Sequence, residues 1–250
     1  MSVESTKNWF DQGGASYARF RPEYPPELAK FFATVAPSSD LALDVGCGTG
    51  QLTVQLAEYF QQTLGLDPSA DQLAHATRHP KVEYRIAPAE ALPVAPGSAS
   101  LIAAAQAAHW FDLPRFFGEV RRVAARDAVL SLLSYGALSL DGELDERFQR
   151  FYRDDIGRFW PAERRLVDAG YASLPFPFDE HAPPPLHIRK DWALDELLGY
   201  IATWSAIRAA REAGQNELLQ RFAGELGELW GDPQARREVR WPINMRLGTV

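Results

Sequence analysis

Three glycines, Gly46, Gly48 and Gly50, alternate with other residues directly behind a short apolar run that contains an acid, Asp44. Glycine tolerates positive φ and has no Cβ, so such a loop lets a ligand lie against bare main chain. A second acid, Asp67, closes the next apolar run 21 residues after Gly46. A carboxylate there can accept hydrogen bonds from both ribose hydroxyls of an adenine nucleoside. The loop and the acid together predict a site for an adenosine-containing cofactor.

The third glycine decides which one. A dinucleotide fingerprint G-x-G-x-x-G starting at Gly46 needs glycine at position 51, where the chain has Gln51. Asp44 also repels phosphate and suits a cationic or amino-bearing ligand. S-adenosylmethionine, with a sulfonium and an amino-acid end, meets both conditions. Cys47 sits inside the loop with no His or Asp partner in register, which reads as packing and not as a nucleophile. His109 follows the apolar run 100–108 and is the residue placed to manage a proton on a phenol, amine or carbon acceptor. Hydrogen bonding and shaping of the pocket is the equal alternative for it. Transfer of a group from such a cofactor needs mainly alignment when the acceptor is already anionic, as a carboxylate is. For the acceptor pocket the candidates are Tyr17, Arg21, Tyr24, Trp110, Trp204 and Arg208. Arg21 or Arg208 can fork a carboxylate, whereas Trp204 lies on an apolar helical face that equally suits a core.

These residues need a frame. Residues 41–46, 62–67, 82–87, 100–108 and 128–135 read as short buried strands, with helical periods over 51–60, the stretch after the candidate cap Ser69, and 112–124. Alternation of this kind implies right-handed βαβ crossovers and a parallel sheet covered on both faces. The aromatic-rich residues 1–34 read as a helical cap. Residues 141–170 read as helical, the proline-punctuated 174–188 as extended, 192–210 as one amphipathic helix, 214–230 as another, and 238–248 as a terminal strand. Pro242 favours an edge or a strand start there.

Composition narrows the class. With 250 residues, 46% hydrophobic and 24% charged, the chain has the make-up of a folded domain. A formal charge of −7 works against wrapping nucleic acid. One cysteine and five scattered histidines build no structural zinc site, and none of these residues predicts a metal. No apolar run is long enough to span a bilayer and the start lacks a signal pattern, so the expected place is cytoplasmic, off the membrane.

The motifs also resemble a family. Asp44-x-Gly46-x-Gly48-x-Gly50 resembles the first motif of the class I S-adenosylmethionine-dependent methyltransferases, and Leu66-Asp67-Pro68-Ser69 is similar to their second-strand motif. Residues 89–93, with Gly97 and Ser98, are similar to the segment bordering the adenine. Residues 108–112 resemble the segment after strand four in the branch that includes trans-aconitate methyltransferases. Tyr17 to Pro25, Tyr200 to Ser205 and Trp241 to Gly248 resemble that branch as well.

The resemblance implies a Rossmann-like seven-stranded α/β sheet with an antiparallel last strand, an N-terminal helical cap and a helical insertion between strands five and six. On that plan residues 1–250 form a single domain: cap 1–34, cofactor core 35–135, insertion 136–190, and C-terminal helices with the last strand in 191–250. Asp44 and the backbone of Gly46, Cys47, Gly48 and Gly50 would hold the methionine end, Asp67 the ribose, and Pro68, Ala89 and Glu90 the adenine. Pro88 stands where many relatives have an acid for the adenine amino group, so adenine recognition falls to Ala89 backbone, Glu90 or apolar packing. The Gln106 carbonyl would face the cofactor amino group. The implied reaction is methylation of a small molecule, a carboxylate first, leaving S-adenosylhomocysteine, by a monomer or homodimer. The rivals are a nicotinamide-dependent oxidoreductase and a non-catalytic S-adenosylmethionine-binding protein.

Overall fold

The computed structural model describes residues 22–250. Their contacts fall into two compact units. One comprises Glu23–Gly136, Arg165–Ile188 and Pro242–Val250; the other includes Ala137–Arg164 and Arg189–Trp241.

The first unit is built on parallel strands β1 (Leu41–Val45), β2 (Gln62–Asp67), β3 (Val82–Ile86), β4 (Ala99–Ala105) and β5 (Ala124–Tyr135). Three further strands are β6 (Asp179–His181), β7 (Leu186–Trp192) and β8 (Arg237–Thr249). Among the described residues the sheet order is β3-β2-β1-β4-β5-β8-β6, with β7 pairing β8 off this path. The seven strands of the path agree with the expected sheet. β6 and the first three residues of the eighth strand, β7, come from the proline-punctuated stretch, whose prolines exclude helix but leave extended backbone free to pair. β8 runs antiparallel to β5, with Ile243 opposite Tyr135 and Thr249 opposite Val129. Pro242 therefore stands just before the residues that need an N–H for β5.

The run 100–108 is shorter as a strand than its composition suggests. β4 stops at Ala105, and Ala108–Trp110 form a 3-10 turn. Helix α1 (Pro26–Val35) starts on proline after an extended Pro25. Helix α2 (Gln51–Ala57) begins from Gly50 at φ 83°, and α3 (Ala70–Ala74) is capped by Ser69, whose side chain accepts from the Gln72 N–H. Helix α4 (Leu113–Val123) turns Phe116, Phe117, Val120 and Val123 into the core around β1, β4 and β5.

The second unit is helical. Helix α5 (Gly142–Arg150) runs into a π-helical turn, Phe151–Asp155. The same unit holds α7 (Leu194–Ala202), α8 (Ser205–Glu212) and α9 (Asn216–Trp230), whereas the short α6 (Arg164–Asp168) belongs, all but its first residue, to the first unit. Residues 192–210 are thus two helices and not one. The Thr203 hydroxyl donates back to the Tyr200 carbonyl at 2.6 Å, and Trp204 takes extended backbone at the start of α8. Hydropathy keeps its period across such a break, so the pattern alone conceals it. Phe151 stacks on Phe222 with centroids 3.5 Å apart, and the buried Trp241 meets Tyr200 and Trp192 edge-on.

Candidate functional site

β1 ends on Val45, and the glycine loop follows at its carboxyl edge. Its main chain is turned inward. The N–H groups of Gly46 and Cys47 both donate to the Leu66 carbonyl, at 2.7 and 3.0 Å, and that of Gly50 donates to the Cys47 carbonyl at 2.9 Å. The Gly48 N–H donates to Asp67 Oδ2 at 2.8 Å. A phosphate-binding loop must aim its amides at the ligand; here these four are engaged within the protein.

The three glycines are required for different reasons. Gly46 has φ 74°, and a Cβ there would collide with the Ala107 side chain, with Phe111 close behind. Gly50 has φ 83°, and its Cβ would collide with the Tyr84 hydroxyl. Only Gly48, φ 54°, opens onto space, its nearest neighbour being Gln72 Oε1 at 3.7 Å. Bare backbone for a ligand is therefore offered at Gly48, while Gly46 and Gly50 admit other parts of the protein. Tyr84, which the sequence did not single out, braces the loop from β3, where it stands opposite Gly65 and donates to the Thr77 carbonyl at 2.8 Å. Burial pushes its phenol up to about 12, and the negative charge of Asp44 adds to the effect.

Two carboxylates face this region. Asp44 is buried; its Oδ2 accepts from the Thr53 hydroxyl at 2.6 Å, while Oδ1 is buried without a hydrogen-bond partner. Burial pushes its carboxyl up to about 6, against the Thr53 hydrogen bond, and the neighbouring Asp67 adds to the rise. An unpartnered buried acceptor beside a second carboxylate is a place for a cationic donor. Asp67 is held by two backbone amides, Gly48 N–H on Oδ2 and Ser69 N–H on Oδ1 at 2.9 Å. Each oxygen keeps a second lone pair, so the carboxylate is oriented and can still accept. The donor set fits a ligand carrying an ammonium and a vicinal diol, as S-adenosylmethionine does.

The remaining predicted residues divide. The Cys47 side chain points into the protein, toward the Gly48 carbonyl and Gly65, and burial with two nearby acids keeps it a thiol. Pro68 and Pro88 are exposed, and Ala89 is buried in the core. Glu90 is partly engaged, since its Oε1 accepts from the Asp112 N–H at 2.8 Å. Ile86, opposite Asp67 in the β2–β3 register, is an exposed apolar side chain that only the register reveals. Gln106 lies at φ 56°, and its side chain donates to the Tyr135 carbonyl at 2.9 Å. His109 lies in the 3-10 turn after β4, with Nδ1 2.8 Å from the Tyr171 hydroxyl, and the exposed Trp110 ring lies 4.8 Å from its own.

Of the acceptor candidates, Tyr17 and Arg21 lie outside the described residues. Tyr24 is buried edge-on to Tyr135, and its carbonyl accepts from Gln55 of α2. Trp204 and Arg208 belong to the helical unit. There Trp204 packs among Phe148, Tyr152, Trp160 and Tyr200, and Arg208 is exposed on α8. Among the described residues no group of three His, Cys, Asp or Glu is placed to hold a metal ion, and no helix is long and apolar enough to cross a membrane.

Known proteins resemble this chain in both sequence and fold. A sequence family described as a methyltransferase domain matches residues 43–132. A methyltransferase of Dictyostelium discoideum is 35% identical over 240 residues, covering 93% of this chain and 91% of its own. A malonyl-[acyl-carrier protein] O-methyltransferase of Pectobacterium atrosepticum is 30% identical over 167 residues, 64% of each chain. Among solved structures, a protein described as a type II methyltransferase, from Anaeromyxobacter dehalogenans, superposes with a TM-score of 0.89 at 44% identity, covering 92% of this chain and 98% of its own. Neither the oxidoreductase nor the non-catalytic reading is favoured by these relatives.

Proposed function

Because the chain belongs to the class I S-adenosylmethionine-dependent methyltransferases, we propose that it methylates a small molecule and that the acceptor atom is a carboxylate oxygen. The observation that carries the cofactor half is Asp44, whose buried Oδ1 has no partner beside an inward-turned glycine loop. Support for the acceptor half is the resemblance of residues 108–112 to the trans-aconitate branch, together with the relative that is an O-methyltransferase of a malonyl carrier.

Each residue then has a task. Asp44 Oδ1 takes the ammonium, Asp67 the ribose hydroxyls, and the open face of Gly48 lets main chain lie against the ligand. The adenine has the apolar border of Pro68, Ile86 and Pro88 and the backbone of Ala89. Glu90 serves it less, since it holds the Asp112 amide. When bound, S-adenosylmethionine supplies an electrophilic methyl group. A carboxylate acceptor needs no proton removed, so what remains for the chain is to bind, orient and exclude water; such alignment is worth effective molarities of about 10⁵–10⁸ M. His109, on the turn that abuts Gly46 through Ala107, is the polar side chain we place on the acceptor side.

Two measurements test this. Calorimetric titration should show binding of S-adenosylmethionine and S-adenosylhomocysteine but not of nicotinamide dinucleotides. Asp67→Ala should weaken that binding by about 1.5–3 kcal/mol, the worth of hydrogen bonds to a charged group; unchanged affinity removes the ribose assignment. A labelled-methyl screen over carboxylates, phenols and amines should give base-labile ester product with carboxylates, and product only with amines or phenols would refute the acceptor class.

A further inference from the structure

Thr53 is fully buried in α2, where a hydroxyl costs stability unless it is bonded. In a helix such a hydroxyl ordinarily returns its proton to a carbonyl three or four residues back, as Thr203 does to Tyr200. Thr53 does not. The carbonyl four residues back, that of Thr49, accepts from the Thr77 N–H at 3.1 Å, while the Thr53 hydroxyl leaves its own helix and donates to Asp44 Oδ2 on β1 at 2.6 Å. That length is the one expected of a hydroxyl bound to an ionised carboxylate. Valine has nearly the same volume, so the hydroxyl is what sets threonine apart at this position.

The surroundings leave Asp44 little else to lean on. Its neighbours in register are Gly65 on β2 and Ala103 on β4, neither of which has a polar side chain. The ionisable groups around it are Asp67 on β2, Cys47 in the loop and Tyr84 on β3, and β4 and α2 contain no charged residue. Burial keeps Cys47 a thiol and pushes Tyr84 up to about 12, so Asp67 is the one among them that is charged near neutral pH. None brings a positive charge. Asp44 Oδ1 is left buried and without a hydrogen-bond partner.

We propose that Thr53 is the positioning residue of the ammonium site: by holding Asp44 Oδ2 it fixes the carboxylate so that Oδ1 is the oxygen left for a cationic amine. This rests on the S-adenosylmethionine reading above. A carboxylate without that anchor can rotate about its own bond and share both oxygens, which costs orientation each time a ligand enters. The same hydrogen bond has an electrostatic effect. It opposes the rise to about 6 that burial imposes on the Asp44 carboxyl, and the Thr53 backbone amide opposes it to a lesser degree. Removing the hydroxyl therefore raises the carboxyl further. An incoming ammonium must then displace a proton that is held at higher pH, and affinity near neutrality falls.

The test compares two ligands of the full chain by calorimetric titration between about pH 5 and 8. S-adenosylhomocysteine carries the ammonium; 5′-methylthioadenosine keeps the nucleoside and lacks the amino-acid end. In the wild type the first should bind more tightly as pH rises and level off above about 6, and the second should show no such profile. Thr53→Val should weaken S-adenosylhomocysteine about tenfold at pH 7 and displace its profile upward, while 5′-methylthioadenosine stays within about twofold. Thr53→Ser should restore both affinity and profile. Should Thr53→Val not fold, Thr53→Ala carries the same comparison. Equal losses for the two ligands would mean that Thr53 merely supports the loop, and would overturn the assignment. An unchanged S-adenosylhomocysteine profile in a folded Thr53→Val protein would overturn it alone, with the cofactor reading intact. A wild type that binds neither ligand would refute the cofactor reading and this inference with it.

Discussion

Asp44 carries the clearest electrostatic consequence at the scale of a single residue. Burial pushes its carboxyl from 3.8 up to about 6, so the ligand-free fold prefers the protonated acid. The stability this gives is full below about pH 4, is lost as pH rises through about 6, and amounts to about 3 kcal/mol. An ammonium against Oδ1 reverses the preference. Binding of S-adenosylhomocysteine should therefore tighten as pH rises from about 4 to 6 and release a proton within that range, which calorimetry in buffers of different ionisation enthalpy detects. Asp44→Asn should raise the melting temperature of the free protein at neutral pH while weakening the ligand; a variant that is both less stable and unimpaired in binding would contradict the assignment. The type and place of this residue were legible in the sequence. Its missing partner was not, because that depends on which side chains pack around the end of β1.

At the scale of the element, the glycine loop is a junction where β1, α2, β3 and the turn after β4 meet. Gly46→Ala adds a collision with Ala107 to left-handed strain and should cost about 3 kcal/mol or more, as should Gly50→Ala against Tyr84. Gly48→Ala meets open space and should cost about 1–2 kcal/mol, the left-handed backbone alone. Its larger effect should fall on ligand affinity. Denaturant melts and calorimetry on the three variants separate these outcomes, and equal losses of stability would deny the division of labour. The G-x-G-x-G spacing announced the loop. It did not show which glycine opens onto free space, since Tyr84 reaches Gly50 and Gly65 through the β2–β3 register. The break at Trp204 escaped for a related reason: a hydroxyl-to-carbonyl bond at Thr203 ends a helix without disturbing its apolar stripe.

At the scale of the whole molecule, the residues proposed to hold the cofactor and His109 all fall in the unit built on the parallel strands, and Trp204 and Arg208 in the helical one. Ligand binding to the native state stabilises it by mass action. S-adenosylhomocysteine at about a hundredfold its dissociation constant should add about 2.7 kcal/mol, seen as a rise in melting temperature, whereas a nicotinamide dinucleotide should add none. A rise with the dinucleotide alone would reinstate the oxidoreductase reading.

The sequence by itself determined the alternation of strands and helices, the loop between Asp44 and Gln51, the acid at 67 and the last strand, because each follows from hydropathy period or from neighbours a few positions apart. Tertiary structure decided the pairing of β6 and β7, the inward turn of the loop amides, the two reasons for three glycines, and the meeting of His109 with Tyr171. Those two residues are 62 positions apart. Contacts between residues that distant depend on sheet order and register, which local periodicity does not encode.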